Sequence, residues 1–218
     1  MDPLYQAIRI NAHKYANRAT WSNATFSSVN AFFKRNGANS YLITEGINPK
    51  IFKPGKVNVK KTIDIIFVGE KTPKRIKFVD FLRKNNININ CYGPGWENKP
   101  IYIDKLVNEY KKSKIVLNFT RDKIGFSDRV FLTLGTNSFL ISEYCRDLER
   151  FFKKGIHLEW FKSPEELLRL SKYYLENDEE REAIAKQGYK IVKENFTWDK
   201  IIEKIFKIIN SKSKNNNL

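Results

Sequence analysis

Gly125-Phe126-Ser127-Asp128-Arg129-Val130-Phe131-Leu132-Thr133-Leu134-Gly135, followed by Ser138-Phe139-Leu140-Ile141-Ser142-Glu143, is the stretch from which the fold of this 218-residue chain is read. A β-branched and aliphatic run, Ile115-Val116-Leu117-Asn118, precedes it, so the order is strand, loop, helix, strand. Phe126, Val130, Phe131 and Leu134 fall on one face at helical spacing. Gly135 and Asn137 can close that helix in left-handed geometry, and a strand over 139–141 re-enters the sheet. The start of such a helix carries free N–H groups and partial positive charge, which suits a phosphate and disfavours a cation. Arg129 sits in that first turn. It is either an arginine aimed at an anion beyond the strand ends or a solvated surface residue.

Working outward, the same alternation extends in both directions. A strand over 63–68 ends at Gly69 and is followed by the basic loop Glu70-Lys71-Thr72-Pro73-Lys74-Arg75, which opens a helix carrying Ile76, Val79, Phe81 and Leu82. A strand over 87–92 ends at Gly93-Pro94-Gly95-Trp96, and a helix from about 102 carries Ile103, Leu106, Val107 and Tyr110. After the central stretch come a helix over 146–153 and a last strand over 156–158. Strands alternating with helices predict an α/β, Rossmann-like, doubly wound parallel sheet of five or six strands. Ligands of such sheets bind beyond the carboxyl ends of the strands. The loops 69–75, 93–96, 119–128 and 142–145 all belong to that edge.

Upstream, residues 3–17 read as a helix, 19–22 as a short strand, Ser27 or Ser28 as the cap of a helix through Val29, Phe32 and Phe33, and 40–43 as a strand. The Gly- and Pro-punctuated segment 45–55 reads as a linker. Downstream everything is helical. Ser163-Pro164-Glu165-Glu166 forms a capping box, Asn177 or Asp178 caps the next helix, and Thr197 caps the last, which carries Ile201, Ile202, Ile205, Phe206 and Ile209 on its apolar side. The division expected is a partial N-terminal segment with linker at 1–55, a Rossmann-like domain at 56–210 and a disordered polar tail at 211–218.

Hydrophobic residues make up 41% of the chain and aromatics 14%, enough for a real core. No apolar run reaches the ~20 residues that span a bilayer. Two cysteines, Cys91 and Cys145, are no disulfide framework, which fits a reducing, cytoplasmic setting. Forty Lys and Arg against 24 Asp and Glu leave a charge of +16, which fits an anionic partner: nucleic acid, a phosphorylated small molecule or an anionic membrane surface, unless the lysine-rich usage is compositional bias. The two histidines, His13 and His157, are isolated, and no zinc pattern is present. Cys91, at a strand end, reads as buried rather than nucleophilic. Neither G-x-G-x-x-G nor G-x-x-x-x-G-K-[ST] occurs, which argues against a nicotinamide enzyme and a P-loop ATPase. Lys71, Lys74 and Arg75 form a basic strand-end loop that could neutralise a diphosphate or simply be solvated.

In sequence order, Ile66-Phe67-Val68-Gly69, Cys91-Tyr92-Gly93-Pro94-Gly95-Trp96, Ser113-Lys114-Ile115-Val116-Leu117-Asn118, Ser127-Asp128-Arg129-Val130-Phe131 and Phe139-Leu140-Ile141-Ser142-Glu143 resemble the C-terminal domain of GT-B glycosyltransferases. The closest likeness is to the group related to the spore maturation protein CgeB, near glycosyltransferase family 4. Trp160-Phe161-Lys162-Ser163-Pro164, Gly188 and Phe196-Thr197-Trp198 agree with it, and the resemblance covers about 56–210. It implies a hexosyltransferase-type enzyme with a nucleotide-sugar donor at the carboxyl edge, no cofactor and no metal. By position it makes Arg75 and Arg129 the catalytic pair. Gly69, Lys71, Lys74, Gly125, Phe126 and Ser127 become the diphosphate site, and Gly93, Tyr102, Thr120 and Glu143 the nucleoside site.

Two departures stand out. Family 4 carries two glutamates on this loop and helix; here the positions read Ile124 and Leu132, and leucine cannot accept bonds from ribose hydroxyls. Weak donor binding is expected, with Glu143 as a substitute carboxylate. Only residues 1–55 precede the domain, so the chain is a fragment, a minimal enzyme or one component of an assembly; a homodimer or a separate acceptor-domain partner is open, as is peripheral association with an anionic membrane. The acceptor is unknown. The rival readings are a catalytically inactive glycosyltransferase-like scaffold and, less favoured, a nucleic-acid-binding protein using exposed aromatics such as Trp21 and Trp96.

Overall fold

Alternate residues of each central strand point to opposite faces, and here both faces are apolar. Ile65, Phe67, Ile115, Leu117 and Ile141 enter one core cluster, while Ile66, Val116 and Leu140 enter another. Strands buried on both sides in this way belong to a parallel sheet covered by helices above and below. The computed structural model describes residues 20–23, 30–31, 34–35, 40–55, 59–120 and 125–215. A short parallel pair, β1 (Thr20–Asn23) and β2 (Ser40–Ile43), comes first. Then follow β3 (Ile63–Val68), α1 (Pro73–Lys84), β4 (Ile89–Tyr92), α2 (Ile103–Lys112), β5 (Ser113–Asn118), α3 (Arg129–Gly135), β6 (Leu140–Glu143), α4 (Arg146–Phe151) and β7 (Glu159–Phe161). Three helices complete the order: α5 (Pro164–Glu176), α6 (Asp178–Asn195) and α7 (Trp198–Asn215). The five strands β3 to β7 are all parallel, in the spatial order β4-β3-β5-β6-β7. The chain leaves β3 to one side for β4 and returns to its other side for β5. That reversal opens a crevice at the carboxyl ends of β3 and β5.

Two of the three expected downstream caps form, at Ser163 and Thr197; Asn177 stands at the start of α6 but makes no side-chain cap bond and donates back to the Tyr173 carbonyl instead. Thr72 caps α1, with Pro73 in the first turn. Ser163 caps α5 through the Glu166 N–H at 3.2 Å. The Glu166 carboxylate takes the Lys162 N–H and the Lys154 ammonium, so the box closes one residue early. Thr197 accepts the Lys200 N–H at 3.4 Å and starts α7.

Several boundaries differ from the sequence reading. Residues 156–158 are no strand: Gly155 has φ +70°, the Ile156 and His157 N–H groups both donate to the Lys153 carbonyl, and the chain turns before pairing begins at Glu159. Phe126 precedes α3 instead of lying in it, yet is 2% exposed, because its ring packs against Phe131, Phe151 and Phe152. Gly135 stays helical and Asn137 alone takes the left-handed turn, with φ 58°. The strand placed at 87–92 begins at Ile89, the helix placed at 146–153 ends at Phe151, and α7 runs to Asn215, into the tail expected from 211.

Helix α7 packs toward the upstream chain. Ile47 N–H donates to the Phe196 carbonyl at 2.8 Å and the Trp198 N–H donates back to Ile47 at 3.1 Å. Ile43, Ile47, Phe52, Ile201 and Ile205 share one cluster. Only one edge of the apolar side is covered, however: Trp198, Ile202, Phe206 and Ile209 remain exposed. The helix expected at 3–17, His13, Ile124 and most of the helix through Val29, Phe32 and Phe33 lie outside the described residues. Asn30, Ala31, Lys34 and Arg35 of that last helix are helical.

Helix α6 lies against α3 and the turn before β7 at Gly188, where a Cβ would overlap the His157 carbonyl and stand 2.8 Å from Leu134 Cδ2. On an open helix, glycine to alanine gains about 1 kcal/mol. Here overpacking against backbone, typically 1–3 kcal/mol, outweighs that gain. Gly188→Ala is expected to lower the urea midpoint, and a raised midpoint would show that α6 does not sit on this turn.

Candidate functional site

The carboxyl end of β3 is where the site is built. Gly69 follows Val68, its N–H donates to the Tyr92 carbonyl at 2.8 Å, and Lys71 N–H donates to Pro94 at 2.9 Å, so the ends of β3 and β4 are tied together. Gly93 holds φ +137°, and a Cβ on it would overlap the Gly69 carbonyl; no other residue fits both requirements.

Arg75 and Arg129 converge here from opposite sides, although 54 residues separate them. Arg129 Nη1 donates to the Val68 carbonyl at 2.7 Å, and Arg75 Nη1 donates to the Glu70 carbonyl at 2.7 Å. A Cβ on Gly69 would stand 2.5 Å from Arg129 Nη1 and 3.5 Å from Arg75 Nη1, so the two guanidinium groups bracket one glycine. Arg75 is 5% exposed and lies over the Phe67 ring, 5.3 Å from its centre. Arg129 lines a pocket of about 240 Å³, together with Val68, Gly69, Gly93, Pro94, Pro100, Ile101, Tyr102, Leu106 and Tyr110. Arg129 is the charged residue in an otherwise apolar wall, which suits a flat ring with an anion at its edge. Burial pushes the Tyr110 phenol up to about 12, with the Arg129 charge opposing the shift, so Tyr110 stays neutral.

The structure separates the remaining sequence-predicted residues into groups. Gly69, Gly93 and Tyr102 line the pocket with Arg129. Lys74, Thr120 and Glu143 form a network of their own beyond β5 and β6. Glu143 Oε2 receives the Thr120 N–H at 3.0 Å, the Thr120 hydroxyl at 2.9 Å and the Lys74 ammonium at 2.7 Å, and Lys74 also donates to the Thr120 carbonyl. Thr120 and Glu143 therefore do not join Gly93 and Tyr102 in the pocket. Lys71 turns over the Trp96 ring at 5.2 Å. Gly125 and Phe126 are buried, and Ser127 links Arg129 to Asn118. Leu132 is half-buried against the second core cluster and does not line the pocket. A glutamate there would have to leave that contact to reach a ligand.

Two further readings are settled by burial. Trp96 is 9% exposed, edge-on to Phe67 at 6.1 Å, and offers no surface for base stacking. His157 accepts the Lys153 N–H at Nδ1, and burial holds its pKa below the usual histidine value, as suits a structural residue. Pocket residues the sequence reading did not single out for the site are Val68, Pro94, Pro100, Ile101, Leu106 and Tyr110. The signal for Leu106 and Tyr110 was their shared helix face; for Pro100 and Ile101 it was only their place ahead of a helix. Among the described residues no cluster of His, Cys, Asp and Glu could hold a metal, and no helix is long and apolar enough to cross a membrane.

Both cysteines are buried and free. Burial raises the Cys91 thiol to about 12 and the Cys145 thiol to about 11. A thiol reagent at pH 8 is expected to leave both unmodified in the native protein and to modify both after denaturation. Fast labelling of the native protein would contradict this placement.

Comparison with known proteins agrees with the architecture. HepE of Anabaena, in a complex with UDP and glucose, superimposes with a TM-score of 0.75 at 10% identity, over 96% of this chain and 69% of its own. S. aureus TarM gives 0.71 at 13% identity, over 96% and 46%. Sucrose-phosphate synthase of Thermosynechococcus elongatus gives 0.68 at 12% identity, over 96% and 62%, so the chain spans about half to two thirds of these structures. No curated protein matches the sequence. A family model described as glycosyl transferase-like matches residues 74–207, more than half of the 218. The chain therefore belongs to the glycosyl transferase-like family, and its sheet has the fold of a GT-B C-terminal domain.

Proposed function

We propose that the protein is a glycosyltransferase that takes a sugar from a nucleotide-sugar donor held at the carboxyl end of β3. The carrying observation is the pair of guanidinium groups on either side of Gly69, one of them in the wall of the pocket. A diphosphate over Gly69 meets both positive charges, and the nucleoside lies toward Gly93, Tyr102 and Tyr110. Fixed cations at that point stabilise the nucleoside diphosphate as it leaves, and the leaving group is where charge develops in glycosyl transfer. HepE was solved with UDP-glucose, which supports a donor of that class on this fold. No cofactor or metal enters this reading.

Lys74 has a smaller part in it than Arg129, because it is already paired with Glu143. Glu143 in turn keeps only Oε1 for a ribose hydroxyl. With Leu132 packed away, the donor is held by its diphosphate and base more than by its ribose. A place near the CgeB-related group fits the motif order but not the lost glutamate. A scaffold without activity is the second reading, favoured by Leu132 alone. The buried Trp96 leaves nucleic acid with little support. A separate subunit is one source of an acceptor site, since a GtfA/B complex is among the structures with this fold. Two buried, unpaired cysteines support a cytoplasmic setting.

Isothermal titration with uridine and guanosine diphosphates tests the reading. One of them is expected to bind, and Arg129→Ala is expected to weaken it by ~1.5–3 kcal/mol, the range for hydrogen bonds to a charged group. Arg75→Ala should weaken it similarly while also lowering stability, because Arg75 is buried. Unchanged affinity in both variants would place the anion site elsewhere.

A further inference from the structure

The carboxyl ends of β5 and β6 hold polar side chains where the preceding positions are apolar. Asn118 is 1% exposed and Ser142 is fully buried, paired in register across the two strands. A buried polar side chain destabilises unless its bonds are made, so such a pair calls for a reason beyond the sheet. The bonds run in one direction. Arg129 Nε–H donates to Ser127 Oγ at 3.2 Å, and the Ser127 hydroxyl donates to Asn118 Oδ1 at 3.4 Å. Asn118 Nδ2–H then donates to Ser142 Oγ at 3.0 Å, and the Ser142 hydroxyl ends the chain on the Glu143 carbonyl at 3.2 Å. Each group in the chain donates to the next, and the last acceptor is fixed backbone of β6.

We propose that Ser127, Asn118 and Ser142 are positioning residues for Arg129. Resting on the donor-binding reading above, this adds how the arginine is aimed. Two bonds hold the guanidinium: Nη1 on the Val68 carbonyl and Nε on the chain of hydroxyl and amide. Nη2 has no partner among the described residues and, with the second N–H of Nη1, is left for an anion. An arginine held at two points loses less rotational freedom on binding than a free one. The arrangement also explains why a cation stands at the start of α3, where the helix dipole opposes it: its charge is carried away from the helix onto the end of β3.

The test uses the intact chain and two readouts. In ¹⁵N NMR spectra of arginine side chains, assigned with Arg129→Lys, the Arg129 Nε–H is expected to exchange with solvent at least tenfold faster in Ser127→Ala and in Asn118→Leu than in the parent. Ser127 is on a partly exposed loop, so its variant folds even if Asn118→Leu does not. Asn118→Asp keeps an acceptor for Ser127 and should restore slow exchange. Titration with uridine diphosphate should show about tenfold weaker binding for Ser127→Ala, the size expected for one hydrogen bond to a charged group, and no further loss when Ser127→Ala is added to Arg129→Ala. Equal exchange rates in the parent and both variants overturn the proposal. If the parent does not bind the nucleotide, the donor-binding reading fails, and the exchange rates still decide the positioning role.

Discussion

Arg129 Nη1 donates to the Val68 carbonyl across 61 positions of sequence, and much of the site depends on that bond. It forms because β3 and β5 are neighbours, and they are neighbours because the chain reverses direction across the sheet after β4. A carbonyl at the end of a parallel strand has no following ladder partner. An arginine from the next crossover supplies one and carries its charge to the point where the sheet opens. Gly69 makes room for it, and Gly93 lets the end of β4 close against Gly69. Side chains at either glycine would push apart the groups that define the crevice.

The basic character of the chain is spent unevenly at this edge. Of the cations in the first loop, Lys74 is neutralised by Glu143, Lys71 covers Trp96 and Arg75 lies over Phe67. At this edge these placements matter more than the formal charge of +16, because Coulomb interactions between exposed groups are screened beyond roughly 10 Å. The Lys74–Glu143–Thr120 network ties α1 to the ends of β5 and β6. The Asn118–Ser142 pair ties the same two strands on the side of Arg129. Each strand end beside the pocket is thereby cross-braced, and the site rests on rigid elements.

How much of this was legible follows from which interactions are local. The strand at 63–68 reads directly from an apolar run, interrupted once by Asp64, that ends at glycine, and the caps at Ser163 and Thr197 read from single polar residues, whereas Thr72 is not singled out as one. The convergence of Arg75 and Arg129 was legible through topology, since both follow parallel strands. The last strand was misplaced because Ile156 and Leu158 alternate like strand residues, whereas Gly155 and the bonds to the Lys153 carbonyl make a turn. Trp96 reads as exposed because nothing nearby in sequence shows the Phe67 ring that receives it. Glu143 was tied to the ribose by position, and its capture by Lys74 and Thr120 depends on residues 69 and 23 positions away.

The central claim is that an anion binds over Gly69 between the two arginines. A crystal structure of the protein with uridine or guanosine diphosphate tests it most directly. The account predicts the diphosphate within hydrogen-bond reach of Arg129 and beside Arg75, with the base against Tyr102. A nucleotide bound away from the end of β3, with neither arginine in contact, would contradict it.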